Sequence, residues 1–98
     1  MTREEAIAVI LAHEAEIRNL GILSLSLFGS TVRGEAREES DVDLLVELSP
    51  AVGLFELVDI GERLRGWFGR PVDVVPRRAL KPWLRETVEA EAEVVLAA

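Results

Sequence analysis

One pattern limits what this chain can fold into. An apolar run, Ile22 to Phe28, stops at Gly29-Ser30; ten residues later come Asp41-Val42-Asp43, and a second apolar run follows to Leu48. Side chains alternate along a strand, so Asp41 and Asp43 leave one face with Cα atoms roughly 6.6 Å apart. Glycine lets the chain turn sharply and lets another group approach the backbone closely. Ser30 is suited to cap a short helix, predicted from Ser30 to about Ala36, with a charged loop over 37–40. A third acid, Asp73, sits in another short apolar run, Val72 to Val75. The pattern predicts neighbouring strands that carry acids beside a glycine turn and a helix start.

Each half is commonplace alone. Gly-Ser is usually a turn, and Asp-Val-Asp is usually a solvated strand face. Together, between apolar runs, they read as a site for a nucleoside triphosphate and two magnesium ions. Carboxylates at this spacing can converge on one hard cation or bridge two. The first N–H groups of a serine-led helix face an anion, and the Ser30 hydroxyl can donate to a phosphate oxygen. Arg33 is placed either to contact the triphosphate or to pair with an acid of the motif.

Composition narrows the partners. The 98 residues suffice for one domain, 1–98, with no room for a separate recognition domain. The net charge of −7 argues against tight polynucleotide binding, which depends on neutralising phosphates. Seven of the eleven basic residues nevertheless lie between Arg63 and Arg85. Without cysteine there is neither a disulfide nor a thiolate zinc site. No apolar stretch approaches the 18 residues of a membrane span, so the expectation is a soluble, cytoplasmic protein without a membrane role. Oligomeric state is left open.

The remaining elements follow from periodicity and caps. Thr2 and Glu5 form a capping box for a helix over about 3–20, ended by Gly21. His13 falls at the edge of its apolar face. Strand one is Ile22 to Phe28, with Leu23, Leu25 and Leu27 on one face. Strand two is Val42 to Leu48, with Val42, Leu44, Val46 and Leu48 toward the core; Glu47, on the acids' face, reads as solvated. Leu54, Leu57, Gly61, Leu64 and Phe68 mark the buried stripe of a helix over about 53–68, and Trp67 reads as packing. Strand three runs from Pro71 to Val75 and ends at Pro76. Pro82 opens a helix to about Glu91 with Trp83, Leu84 and Val88 as its apolar side. Glu93 to Leu96 is either a short edge strand or a trailing end. This is an α/β (α+β) chain: a small mixed β-sheet of three to four strands with helices packed on it.

Phe28, Gly29, Ser30, Arg33, Gly34, Ser40, Asp41, Asp43 and Leu44, with Asp73 beyond them, resemble the DNA polymerase beta-like nucleotidyltransferase superfamily in its small stand-alone branch, the minimal nucleotidyltransferases. The resemblance covers nearly the whole chain and implies the nucleotidyltransferase fold. By it, Asp41 and Asp43 hold two Mg²⁺ ions, and Asp73 shares the catalytic ion or takes the acceptor's proton. Gly29 and Ser30 grip the β- and γ-phosphates, and ATP is the favoured substrate. The family implies an antitoxin paired with a HEPN-domain ribonuclease toxin, adenylylating a tyrosine on it. This chain has no tyrosine, so such an acceptor lies on another molecule. The alternative is a non-catalytic antitoxin that neutralises its HEPN partner by complex formation. Transfer to a small molecule such as an aminoglycoside is a weaker third reading.

Overall fold

The fold is that of a computed structural model in which residues 1–29 and 41–98 are described. Helix α1 spans Arg3–Ala12 and begins with the expected capping box. The Thr2 hydroxyl accepts the Glu5 N–H at 3.1 Å, and the Glu5 carboxylate accepts the Thr2 N–H at 2.9 Å. That second bond holds the Glu5 carboxyl below its ordinary pKa. The helix does not run on to residue 20. It breaks at His13, and α2, Glu14–Asn19, follows. His13 leaves helical geometry where its ring stacks on Trp67, with centroids 4.5 Å apart and planes 10° from parallel.

Strand β1 is Ile22–Phe28 and β2 is Val42–Leu48, both at the expected limits. They pair antiparallel. Helix α3, Leu54–Phe68, leads from β2 to β3, Val72–Pro76, which pairs parallel to β2. Gly69 closes α3 in the left-handed conformation. One turn of 3-10 helix, Arg77–Ala79, precedes helix α4, Pro82–Glu91, and β4, Glu93–Leu96, then pairs antiparallel to β1. The sheet of the described residues has four strands in the order β3-β2-β1-β4, so the chain's last apolar run is an edge strand. Pro76 is the last residue of β3 rather than its stop. An edge strand tolerates proline there because one side of its backbone needs no ladder partner.

The core lies on one face of the sheet. Ala6, Ile10 and Ile17 from α1 and α2, and Ile60, Leu64 and Phe68 from α3, pack with Leu25, Leu27, Val42, Leu44, Val46, Val72 and Leu96. Register is strict there because a slip of one residue would turn the acids inward and the leucines outward. Three expectations shift. An irregularity in the β1–β2 pairing between Ile22 and Ser24 hands the core position to Ile22 and leaves Leu23 exposed. Leu48 is only half-buried. Helix α4 buries none of its residues fully, and Trp83 is largely exposed. Among the described residues no helix is long and apolar enough to cross a membrane.

Candidate active site

The site forms on the sheet face opposite the core. Val42, Leu44 and Val46 are buried on one side of β2, which leaves Asp43, Leu45 and Glu47 on the other. Parallel pairing sets Asp43 beside Asp73, with Val42 beside Val72 and Leu44 beside Val74. Residues paired in this way point to the same face, and neighbouring strands lie about 4.8 Å apart. Two acids thirty positions apart in sequence thus stand side by side. The ladder opens with the Val42 N–H donating to the Pro71 carbonyl at 3.2 Å. Asp41 directly precedes β2, two residues from Asp43, and is exposed.

Gly29 completes the described part. It follows β1 at a φ of +77°, a backbone conformation that favours glycine. Phe28 pairs with Asp43 across β1 and β2, which brings the turn onto the acid. A β-carbon on Gly29 would stand 2.3 Å from Asp43 Oδ2. The turn and the carboxylate are therefore in contact, as a phosphate site beside a cation site requires. Ser30, Arg33, Gly34 and Ser40, and the short helix expected from Ser30, lie outside the described residues.

The donor set suits magnesium. Hard oxygen ligands are what that ion takes, and it is commonly held by one or two carboxylates together with substrate phosphates. Asp43 and Asp73 supply two such carboxylates in register. Among the described residues no group of three or more His, Cys, Asp and Glu is arranged to hold a metal by itself.

Glu47 is not simply solvated. Arg77 Nη1 lies 3.3 Å from Glu47 Oε2, and the same guanidinium donates through Nε to Glu89 on α4. The hydrogen bond from Arg77 holds the Glu89 carboxyl below its ordinary value, and the bond to Glu89 raises the arginine's. Arg77 thereby ties α4 to the sheet and occupies Glu47, the next acid after Asp43 along this face of β2. Sequence reasoning missed Arg77. The signal was present in the spacing, since a basic residue directly after β3 falls near the far end of the parallel neighbour β2.

The nucleotidyltransferase domain family matches residues 11–95. The chain belongs to this family. Within it, the chain is similar to protein adenylyltransferase MntA of Thermococcus cleftensis, at 38% identity over 96 residues and 97% of each chain. A solved structure described as a minimal nucleotidyltransferase superposes with a TM-score of 0.85 at 39% identity, covering 95% of both chains. These place the nucleotidyltransferase in the minimal branch. The MNT antitoxin bound to a tri-AMPylated HEPN toxin from Shewanella oneidensis shares the fold, with a TM-score of 0.70 at 16% identity over 99% of this chain and 74% of that one.

Proposed function

We propose that this nucleotidyltransferase is a protein adenylyltransferase that moves AMP from ATP to a hydroxyl of a HEPN-domain toxin and serves as its antitoxin. The observation that carries the reading is the register of Asp43 and Asp73 on one sheet face against the Gly29 turn. The similarity to a protein adenylyltransferase along nearly the full length supports the choice of AMP and of a protein acceptor. The fold shared with an antitoxin of a HEPN toxin supports the partner. Since the reaction consumes ATP, the proposed location is the cytoplasm.

In this reading Asp41, Asp43 and Asp73 are the catalytic acids. Asp41 and Asp43 hold two Mg²⁺ ions, which when bound neutralise charge on the phosphates. Asp73 shares one of them or accepts the proton of the acceptor hydroxyl. Gly29 lets the triphosphate approach the backbone, and Ser30 and Arg33 contact its phosphates. The acceptor oxygen attacks the α-phosphorus in line, the bond to the β-phosphate breaks, and pyrophosphate leaves. Catalysis is chiefly positioning and charge stabilisation.

The test is transfer of label from α-³²P-ATP to a HEPN-domain toxin co-expressed with this chain, with Mg²⁺ present. The wild type labels it, and Asp43→Asn does not. Full transfer by Asp43→Asn would reject the catalytic reading. An inert Asp43→Asn that still neutralised the toxin as well as wild type would favour neutralisation by complex formation alone.

A further inference from the structure

The stripe Leu54, Leu57, Gly61, Leu64 and Phe68 is not buried along its whole length. Gly61, Leu64 and Phe68 are covered, but Leu54 is 74% exposed, and Phe55 and Val58 beside it are 85% and 56% exposed. Positions i, i+1 and i+4 of one helix form a continuous surface. Single exposed apolar residues are ordinary, whereas a contiguous group marks a surface that meets something.

The location of this group is informative. Leu54, Leu57 and Val58 line a groove of about 250 Å³ whose other wall is Asp73 and Val74 of the edge strand β3. Asp73 is the in-register neighbour of Asp43. Anything seated on the apolar end of α3 therefore has its edge against the strand that carries Asp73. Glu62 and Arg65 line the same groove and supply polar contacts.

We infer that the exposed start of α3, with Leu54, Phe55 and Val58, is the docking surface for the acceptor protein, and that this partner presents a basic face with an apolar anchor next to its hydroxyl. This rests on the adenylyltransferase reading. Two facts select that occupant over a second copy of the chain. Each copy carries a net charge of −7, so two copies repel and a basic partner is attracted. The chain also has no tyrosine, the acceptor that the resemblance implies.

The experiment uses the full chain, Mg²⁺-ATP and a HEPN-domain toxin co-expressed with it. Phe55→Asp and Val58→Asp raise the KM for that acceptor by about tenfold or more, because a few buried anchors carry most of an interface's energy. The kcat and the thermal shift given by Mg²⁺-ATP stay at wild-type values, which shows an intact fold and nucleotide site. Trp83→Asp, a change at an exposed aromatic residue on α4 rather than α3, leaves the KM alone. Added salt raises the wild-type KM. A KM within about twofold of wild type in both α3 variants would overturn the inference, since no anchor would then exceed the cost of an ordinary contact. So would light scattering that shows a wild-type dimer dissociating on Phe55→Asp, because the occupant would then be a second copy. If the wild type transfers no AMP, the adenylyltransferase reading fails by itself. Calorimetric titration of the same partner into wild type and Phe55→Asp then decides the surface: weakened binding in the variant supports it, and equal binding overturns it.

Discussion

The Asp43 carboxylate lies in the space that a β-carbon on Gly29 would need, with Oδ2 only 2.3 Å from that position. The glycine is held at a φ of +77°, so two separate constraints bar any other residue. Backbone strain alone would cost an alanine roughly 1–2 kcal/mol. The steric overlap would also turn the Asp43 carboxylate away from its place beside Asp73. Gly29→Ala is expected to lower transfer on the order of 10²-fold, the usual penalty for a misplacement of about 1 Å. Urea unfolding and the labelled-AMP assay together separate the two effects. Gly66 on α3 is the counterpart, since a β-carbon there meets nothing within 4 Å. Gly66→Ala should stabilise by roughly 0.5–1 kcal/mol and leave transfer unchanged.

Asp73 should matter as much as Asp43, although it sits on another strand. Asp73→Asn is expected to reduce transfer by at least about 10²-fold, a magnitude typical for loss of a single group that stabilises charge at a reacting centre. The fold should survive, because Asp73 is exposed and no core residue moves. Circular dichroism and the labelled-AMP assay check both halves.

Metal should be needed for nucleotide binding as well as for transfer. ATP with Mg²⁺ at 100 times its Kd should add about 2.7 kcal/mol of apparent stability. In a chain of this size that raises Tm by more than about 10 °C. EDTA should abolish the shift for wild type, and Asp43→Asn should show little shift under either condition. Differential scanning fluorimetry gives the comparison directly.

The link between Arg77 and Glu89 predicts a pH dependence. The Glu89 carboxyl is held below the ordinary value of 4.5 by the arginine's hydrogen bond. A group whose pKa is depressed by folding contributes stability that is complete above its unfolded value. That contribution disappears as pH falls through the lower, folded value. Wild type should therefore lose stability below about pH 4.5 more steeply than Glu89→Gln, while the two run parallel above it. Both partners are partly solvated, so the difference should shrink with added salt. Thermal melts between pH 3 and 7 at two salt concentrations read it.

Core packing sets the margin within which all these variants operate. Leu44 is fully buried on β2, between the acid Asp43 and the rest of the core. Leu44→Ala should cost about 2–5 kcal/mol. Against a total of about 5–15 kcal/mol that is a large fraction, and urea unfolding would show it.

Local signals in the chain were enough to delimit β1, β2 and α4, and to place the capping box at Thr2 and Glu5. Alternation, caps and a proline at a helix start act over a few residues and need no distant partner to take effect. The placement of Asp43 and Gly29 at one strand's start and the other's end was legible for the same reason. The break at His13 was not, because the Trp67 ring it stacks on comes from α3. The exposure of Leu54 was not either, since its 3.6-residue spacing with Leu57 and Gly61 says which residues share a face but not whether that face is covered. Above all, Asp73 could have stood on either side of the sheet. Parallel pairing of Val42 with Val72 and of Asp43 with Asp73 settles it, and that register depends on burying Val72 under the helices, a long-range packing choice that no short segment encodes.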